Sequence, residues 1–141
     1  RHEEPGCEER GGGAATDVDG ISLLPVLRGR SEEVREGYHF EHNPCYSKEQ
    51  AYHALTDGRY KYIWRPTDGT EQLFDLDNDP QEEHDLSKDA TASQTLQSWR
   101  ERLVKRLADR PEGFSADGRL IAGQPYKALN AGMLKQDAES L

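Results

Sequence analysis

Three short stretches of the chain carry residue types whose spacing could support chemistry. Asp75-x-Asp77-x-Asp79 has the spacing at which an EF-hand loop begins to wrap calcium. Such a loop needs Gly at its sixth position and Glu at its twelfth, where this sequence has Pro80 and Leu86. These carboxylates therefore read as turn and capping groups. His39, Glu41, His42, Cys45 and His53 lie close together and could surround a metal. Strand alternation puts His39 and His42 on opposite faces, and neither HExxH nor paired CxxC spacing occurs. A lone His or Glu at a pocket rim fits better. Ser22, Ser31 and Ser47 lack the GxSxG setting of an activated nucleophile. Gly11-Gly12-Gly13 follows no strand, so it reads as flexible composition rather than a phosphate cradle.

The elements that must position these groups have to come from an unusual composition. In 141 residues, Leu, Ile, Val and Phe number 24, and the net charge is −9. That aliphatic share falls below the ~20% at which disorder becomes the default. The apolar residues are concentrated, however: eight of eleven aromatics lie between Tyr38 and Phe74. The charge is concentrated too, with −8 in residues 67–89. An acidic balance argues against a nucleic-acid partner, and no apolar run approaches a membrane span. The chain begins at Arg1 and its single methionine is Met133, so it reads as a processed or partial chain. Cys7 and Cys45 could pair or stay free thiols, and they assign no compartment.

Residues 1–16 read as an unmatched linker or disordered segment, 17–115 as a folded module, and 116–141 as an extended C-terminal tail. Within the module, Ile21, Leu23, Leu24 and Leu27 form an apolar patch that Pro25 keeps from being a regular helix interior. A patch this short needs a surface to cover, which makes it a docking segment. Alternation predicts strands over 38–42, 51–56, 59–65 and 71–76, with a hairpin signal at Asp57-Gly58. Asp79-Pro80-Gln81-Glu82 has the cap, first-turn proline and returning acid of a helix start. Leu96, Trp99, Leu103 and Leu107 form one stripe of a helix from about Thr91 to Arg110. Tyr60, Tyr62 and Trp64 share the strand face on which that helix should lie, so they read as core rather than as a nucleic-acid stacking platform. The expected fold is α+β: a small antiparallel meander of three to four strands, one long amphipathic helix across it, and flexible ends.

Four blocks of this module resemble the C-terminal region of type I sulfatases of the alkaline phosphatase superfamily. Val18-Asp19-Gly20-Ile21-Ser22-Leu23-Leu24-Pro25-Val26-Leu27-Arg28-Gly29 is similar to the family's "DG-x-S-L-L-P-L-L-x-G" segment. Asp57-Gly58-Arg59-Tyr60-Lys61-Tyr62-Ile63 resembles its "TGRYKYI" strand. The stretch from Glu71 to Leu86 resembles "E-E-x-L-Y-D-L-x-x-D-P-x-E-x-x-N-L", and the Leu96/Trp99/Leu103 helix stands where the family has its last helix. The resemblance implies a C-terminal subdomain that completes a separate N-terminal sulfatase catalytic domain and its substrate entrance. It implies sulfuric ester hydrolysis of a sulfated small molecule or glycan by that whole enzyme. Calcium and a formylglycine made in a C/S-x-P-S/A-R motif would belong to the catalytic domain. Neither Cys7-Glu8-Glu9-Arg10 nor Cys45-Tyr46-Ser47-Lys48 fits that motif, so the chain alone is expected to be inactive and without a cofactor or metal. Glu41 and His42 resemble a "GEH" strand and imply a place at the substrate-pocket rim. Ile21, Leu23, Leu24 and Leu27 imply docking to the catalytic domain. The alternative is a free-standing interaction or carbohydrate-binding module using Tyr46 or Tyr52.

Overall fold

Gly58 has a backbone φ of +94°, a value that glycine adopts without steric cost, and it decides how the central hairpin closes. The register pairs Thr56 with Lys61, so Gly58-Arg59 is the two-residue turn between β2 (Tyr52–Thr56) and β3 (Tyr60–Trp64). Asp57 flanks the turn, and its Oδ1 accepts from the backbone N–H of Arg59 and Tyr60 at 3.0 and 2.8 Å. The alternation alone would centre the turn on Asp57-Gly58. The observed register differs by two residues, which leaves every side chain on its expected face. A computed structural model describes residues 22–30, 35–43 and 48–125 of the chain.

The chain divides into two units, residues 1–34 and 35–141. In the first, α1 (Leu24–Leu27) is a single turn with Pro25 in its opening positions, where no intrahelical N–H is lost. The second holds a four-stranded sheet in the order β1-β2-β3-β4, with β1 at Tyr38–His42 and β4 at Glu71–Asp75, each strand antiparallel to the next. This is the expected meander.

Helix α2 (Ser93–Leu107) lies across one sheet face and buries Leu96, Trp99, Leu103 and Leu107. Against them pack Leu55, Tyr62, Trp64, Leu73 and Phe114. The α+β arrangement of sheet and single long helix is thus observed. A 3₁₀ turn at Ala90–Ala92 leads into α2, with Asp89 accepting from Thr91 N–H at 2.8 Å.

The acidic stretch departs from expectation. Asp79-Pro80-Gln81-Glu82 starts no helix; regular structure resumes only with a 3₁₀ turn at Leu86–Lys88. Asp79 does cap, accepting from the N–H of Glu83 and His84 at 3.1 and 2.8 Å, but it closes a turn. Glu82 sits at φ +58°, outside the helical region, with its carboxylate held by Lys61 Nζ at 2.8 and 2.9 Å. The Glu82 carboxylate thus serves a long-range ion pair and not a capping box.

Residues 115–120 carry no apolar period, yet β5 (Ser115–Ala116) and β6 (Arg119–Leu120) form a second, two-stranded sheet. It is tied down by Ser115 Oγ donating to Val104 O at 3.0 Å and by Gly123 N donating to Pro66 O at 2.8 Å.

One polar knot joins helix to sheet. Arg100 grips Glu71 with two parallel bonds of 2.7 and 2.6 Å, and the buried Tyr62 hydroxyl donates to the same carboxylate at 2.5 Å. Burial acts to raise the Glu71 carboxyl, but the bonds from Arg100 and Tyr62 together hold it below its ordinary value. Tyr62→Phe should therefore lower stability by about 1.5–3 kcal/mol, the range for a hydrogen bond to a charged group. Urea denaturation at neutral pH checks this.

Candidate functional site

Glu41 and His42 are neighbours at the end of β1, and alternation sends them to opposite faces. His42 is exposed and stacks on Tyr52, with ring centroids 5.6 Å apart and an interplanar angle of 11°. Tyr52 itself is half-buried. Glu41 turns to the helix side with His39, opposite His53 in the register. The two rim candidates are therefore adjacent in sequence but do not share a site on the sheet.

What the fold does bring together is His39, Glu41 and His53, with Arg106 and Arg110 from the C-terminal end of α2 and just beyond. Arg110 Nη1 donates to Glu41 Oε2 at 2.8 Å, while its remaining nitrogens hold Glu112 at 2.6 and 3.2 Å. His53 Nδ1 lies 3.7 Å from Glu41 Oε2 and 3.1 Å from His39 Nε2. Arg106 Nε makes a long contact of 3.5 Å with His39 Nδ1. His53 is 4% exposed, stacked on Trp64 and edge-on to Phe114. Burial first, then the neighbouring His39, pushes its pKa down to about 4 against the pull of Glu41. Burial also lowers His39; Glu41 opposes this, while Arg106 and Arg110 reinforce it. Both rings are neutral at pH 7.

Two neutral imidazoles and a carboxylate with ligand atoms within 4.8 Å of one another are a set that zinc could use. The surroundings oppose it. Glu41 Oε2 is already held by Arg110, and Arg106 aims a donor at His39 Nδ1. With Nδ1 accepting, Nε2 carries the proton and points it at His53. A hydrogen-bonded chain runs from Arg106 through His39 to His53, and Glu41, held by Arg110, lies beside it at 3.7 Å without a hydrogen bond to His53. Glu41 stays 35% exposed and so keeps room to accept from outside.

The second acidic group is similarly engaged. Asp79 takes backbone N–H groups, and Arg59 reaches Asp75 and Asp77 at 3.5 and 3.7 Å. The Asp75/Asp77/Asp79 carboxylates act as turn and ion-pair groups.

Of the docking residues, Leu23, Leu24 and Leu27 are 60, 38 and 77% exposed. Ile21 lies outside the described residues, as do Cys7, Cys45, Tyr46 and Ser47.

Residues 10–109 match the family model described as N-sulphoglucosamine sulphohydrolase, C-terminal. The chain belongs to this sulfatase C-terminal family. Its relatives agree with that assignment. An arylsulfatase of Clostridium perfringens is 30% identical over 112 residues, a match covering 79% of this chain but only 23% of that protein. A structure described as a putative sulfatase from Bacteroides thetaiotaomicron superposes with a TM-score of 0.61 at 28% identity, covering 68% of this chain and 21% of the other. A 2-O GAG sulfatase shares the fold, with a TM-score of 0.63 at 23% identity over 82% of this chain and 28% of its own. This sulfatase C-terminal domain thus spans less than a third of each of these three proteins.

The sequence already groups His39, Glu41 and His53 in this sulfatase C-terminal domain, but not the two arginines that hold the cluster. The two-residue spacing of His39 and Glu41 puts them on one face, but the partnership with His53 depends on the β1–β2 register. Arg106 and Arg110 come from 67 and 69 residues further along the chain than the groups they touch.

Proposed function

We propose that this chain completes the fold and substrate entrance of a sulfuric ester hydrolase whose catalytic domain is a separate part of the whole protein. The observation that carries the reading is the lopsided match: 79% of this chain against 23% of an arylsulfatase, within a family defined by its C-terminal position. Formylglycine and calcium, which supply the nucleophile and the charge stabilisation of sulfate-ester cleavage, belong in this reading to the catalytic domain. Sulfated small molecules or glycans are the substrate class, supported by the fold shared with a 2-O GAG sulfatase.

Within that enzyme Glu41 and His42 stand at the substrate-pocket rim. Arg110 holds the Glu41 carboxylate in place, and stacking on Tyr52 fixes the His42 ring. Docking uses Ile21, Leu23, Leu24 and Leu27. Large apolar groups left exposed in a chain with so few of them point to a surface that covers them. Tyr38 and Phe40 of β1, 51 and 54% exposed with centroids 6.5 Å apart, are a second such pair.

Mixing this chain with a sulfatase catalytic portion should give a complex that hydrolyses an aryl sulfate, while the chain alone should give no turnover. Changing Leu23 and Leu24 together to Asp should abolish rescue, with the circular dichroism of the sheet-and-helix unit unchanged. Undiminished rescue by that double variant would overturn the docking assignment.

A further inference from the structure

The two edges of the four-stranded sheet are finished differently. The outer side of β4 is occupied: Asp85 Oδ1 accepts from the Leu73 backbone N–H at 3.1 Å, and the 3₁₀ turn at Leu86–Lys88 packs alongside. Among the described residues β1 has no such cover. All five of its residues pair with β2 in one unbroken register, so alternate N–H and C=O groups point away from the sheet. Among the described residues none of these meets a backbone partner. β1 also lacks the Pro, Lys or bulge that commonly blunts a free edge. Tyr38 and Phe40 stand on its face away from α2, each more than half exposed.

The strand is complementary to itself. When Tyr38-His39-Phe40-Glu41-His42 is laid antiparallel to a second copy about Phe40, Phe40 faces Phe40, His39 faces Glu41 and Tyr38 faces His42. Residues directly opposite share a sheet face, so aromatic side chains meet aromatic side chains and no like charges meet. The Tyr–His pair already has a counterpart in this fold. His42 lies opposite Tyr52 in the β1–β2 register, and the two rings stack. Centring the pairing on Glu41 instead would set two carboxylates against each other, which is unfavourable.

We propose that the β1 edge is a self-association surface: it pairs with β1 of a second copy about a two-fold axis and joins the two sheets into one. Such a contact is isologous and closes on itself, and the covered β4 edge stops further growth. One five-residue strand is a short seam beside the ~1,200–2,000 Å² that stable complexes bury. A weak dimer is therefore expected, with a Kd of roughly 0.05–0.5 mM. The contact uses no part of the Leu23–Leu27 segment. It stands or falls separately from the reading of the chain as part of a sulfatase.

Sedimentation equilibrium of the full chain from about 10 µM to about 2 mM should show a monomer–dimer equilibrium and no larger species. Phe40→Ser should weaken the dimer at least tenfold, whereas changing Leu23 and Leu24 together to Asp should leave it unchanged. In an equal mixture of isotope-labelled and unlabelled chain, filtered NMR should show the Tyr38 ring of one copy against the His42 ring of the other. A chain that stays monomeric at the highest concentration, or a dimer that lacks this ring contact or survives Phe40→Ser, would overturn the proposal. So would a dimer lost in the Leu23/Leu24 variant, since that places the contact on the other apolar patch. If Phe40→Ser instead destroys rescue of a sulfatase catalytic portion while the chain never self-associates, that portion covers the edge and the proposal fails. Should Phe40→Ser unfold the chain, Tyr38→Ser provides the same comparison.

Discussion

Trp64→Ala is expected to bring the sheet-and-helix unit close to the edge of unfolding in dilute buffer. Trp64 is 2% exposed at the end of β3, where it joins three parts of the structure. Its ring stacks on His53 of β2 at 6.0 Å and meets Phe114, next to the β5–β6 hairpin, edge-on at 5.8 Å. Truncating a buried Trp costs about 3–5 kcal/mol, through lost transfer energy and the cavity left behind. Whole domains are stable by only about 5–15 kcal/mol, and a core with so few aliphatics belongs at the low end. Phe40→Ser on β1 is the contrasting case. Phe40 is 54% exposed, so its replacement should change stability by no more than about 0.5 kcal/mol. Urea denaturation followed by near-ultraviolet circular dichroism measures both. Equal costs for the two variants would contradict the assignment of faces.

The second large effect is acid sensitivity well above the carboxylate range. His53 is held neutral by burial, with its pKa lowered from 6.5 to about 4. The unfolded chain takes up this proton near pH 6.5 and the folded chain does so only near pH 4. Stability is therefore fully present above pH 6.5 and is lost as pH falls from 6.5 towards 4. The loss amounts to about 2 kcal/mol by pH 5 and about 3 kcal/mol once both states are protonated. His39, also lowered, adds to it in the same direction. Glu71 and Glu112, whose pKa values are lowered in the folded chain, contribute their own loss in a more acidic window, below their ordinary value of 4.5. Urea midpoints taken at half-unit steps from pH 7.5 to 4.5 should fall mainly between pH 6.5 and 5. A flat profile across that interval would contradict the buried neutral pair. In His53→Phe most of the slope should disappear.

Strand alternation makes the meander legible in this sequence, because Tyr60, Tyr62 and Trp64 must face whatever Leu96, Trp99, Leu103 and Leu107 cover. Both patterns depend on neighbours in the chain, and both appear as expected. The Asp79–Glu82 stretch misleads because every local signal for a helix is present, yet Glu82 sits at a positive φ and its carboxylate pairs with Lys61, 21 residues away in the chain. The histidine cluster is half legible for a related reason. The sequence groups His39, Glu41 and His53, but strand register sets the face they share, and the arginines arrive from the end of α2 and just beyond it. The β5–β6 hairpin has only two residues per strand, too few for any period to show. The sulfatase resemblance is legible because it rests on the order of four blocks, and the matched family span of residues 10–109 agrees with it.

The central claim is that this chain is one part of a sulfatase and acts by completing the rest. Its most direct test uses the Clostridium perfringens arylsulfatase, which shares 30% identity with this chain, truncated before the stretch that matches. Titrating the truncated enzyme with this chain should form a one-to-one complex and restore hydrolysis of an aryl sulfate in proportion to the complex formed. A folded chain that neither binds the truncated enzyme nor restores turnover, under conditions where the enzyme's own missing segment does both, would contradict it.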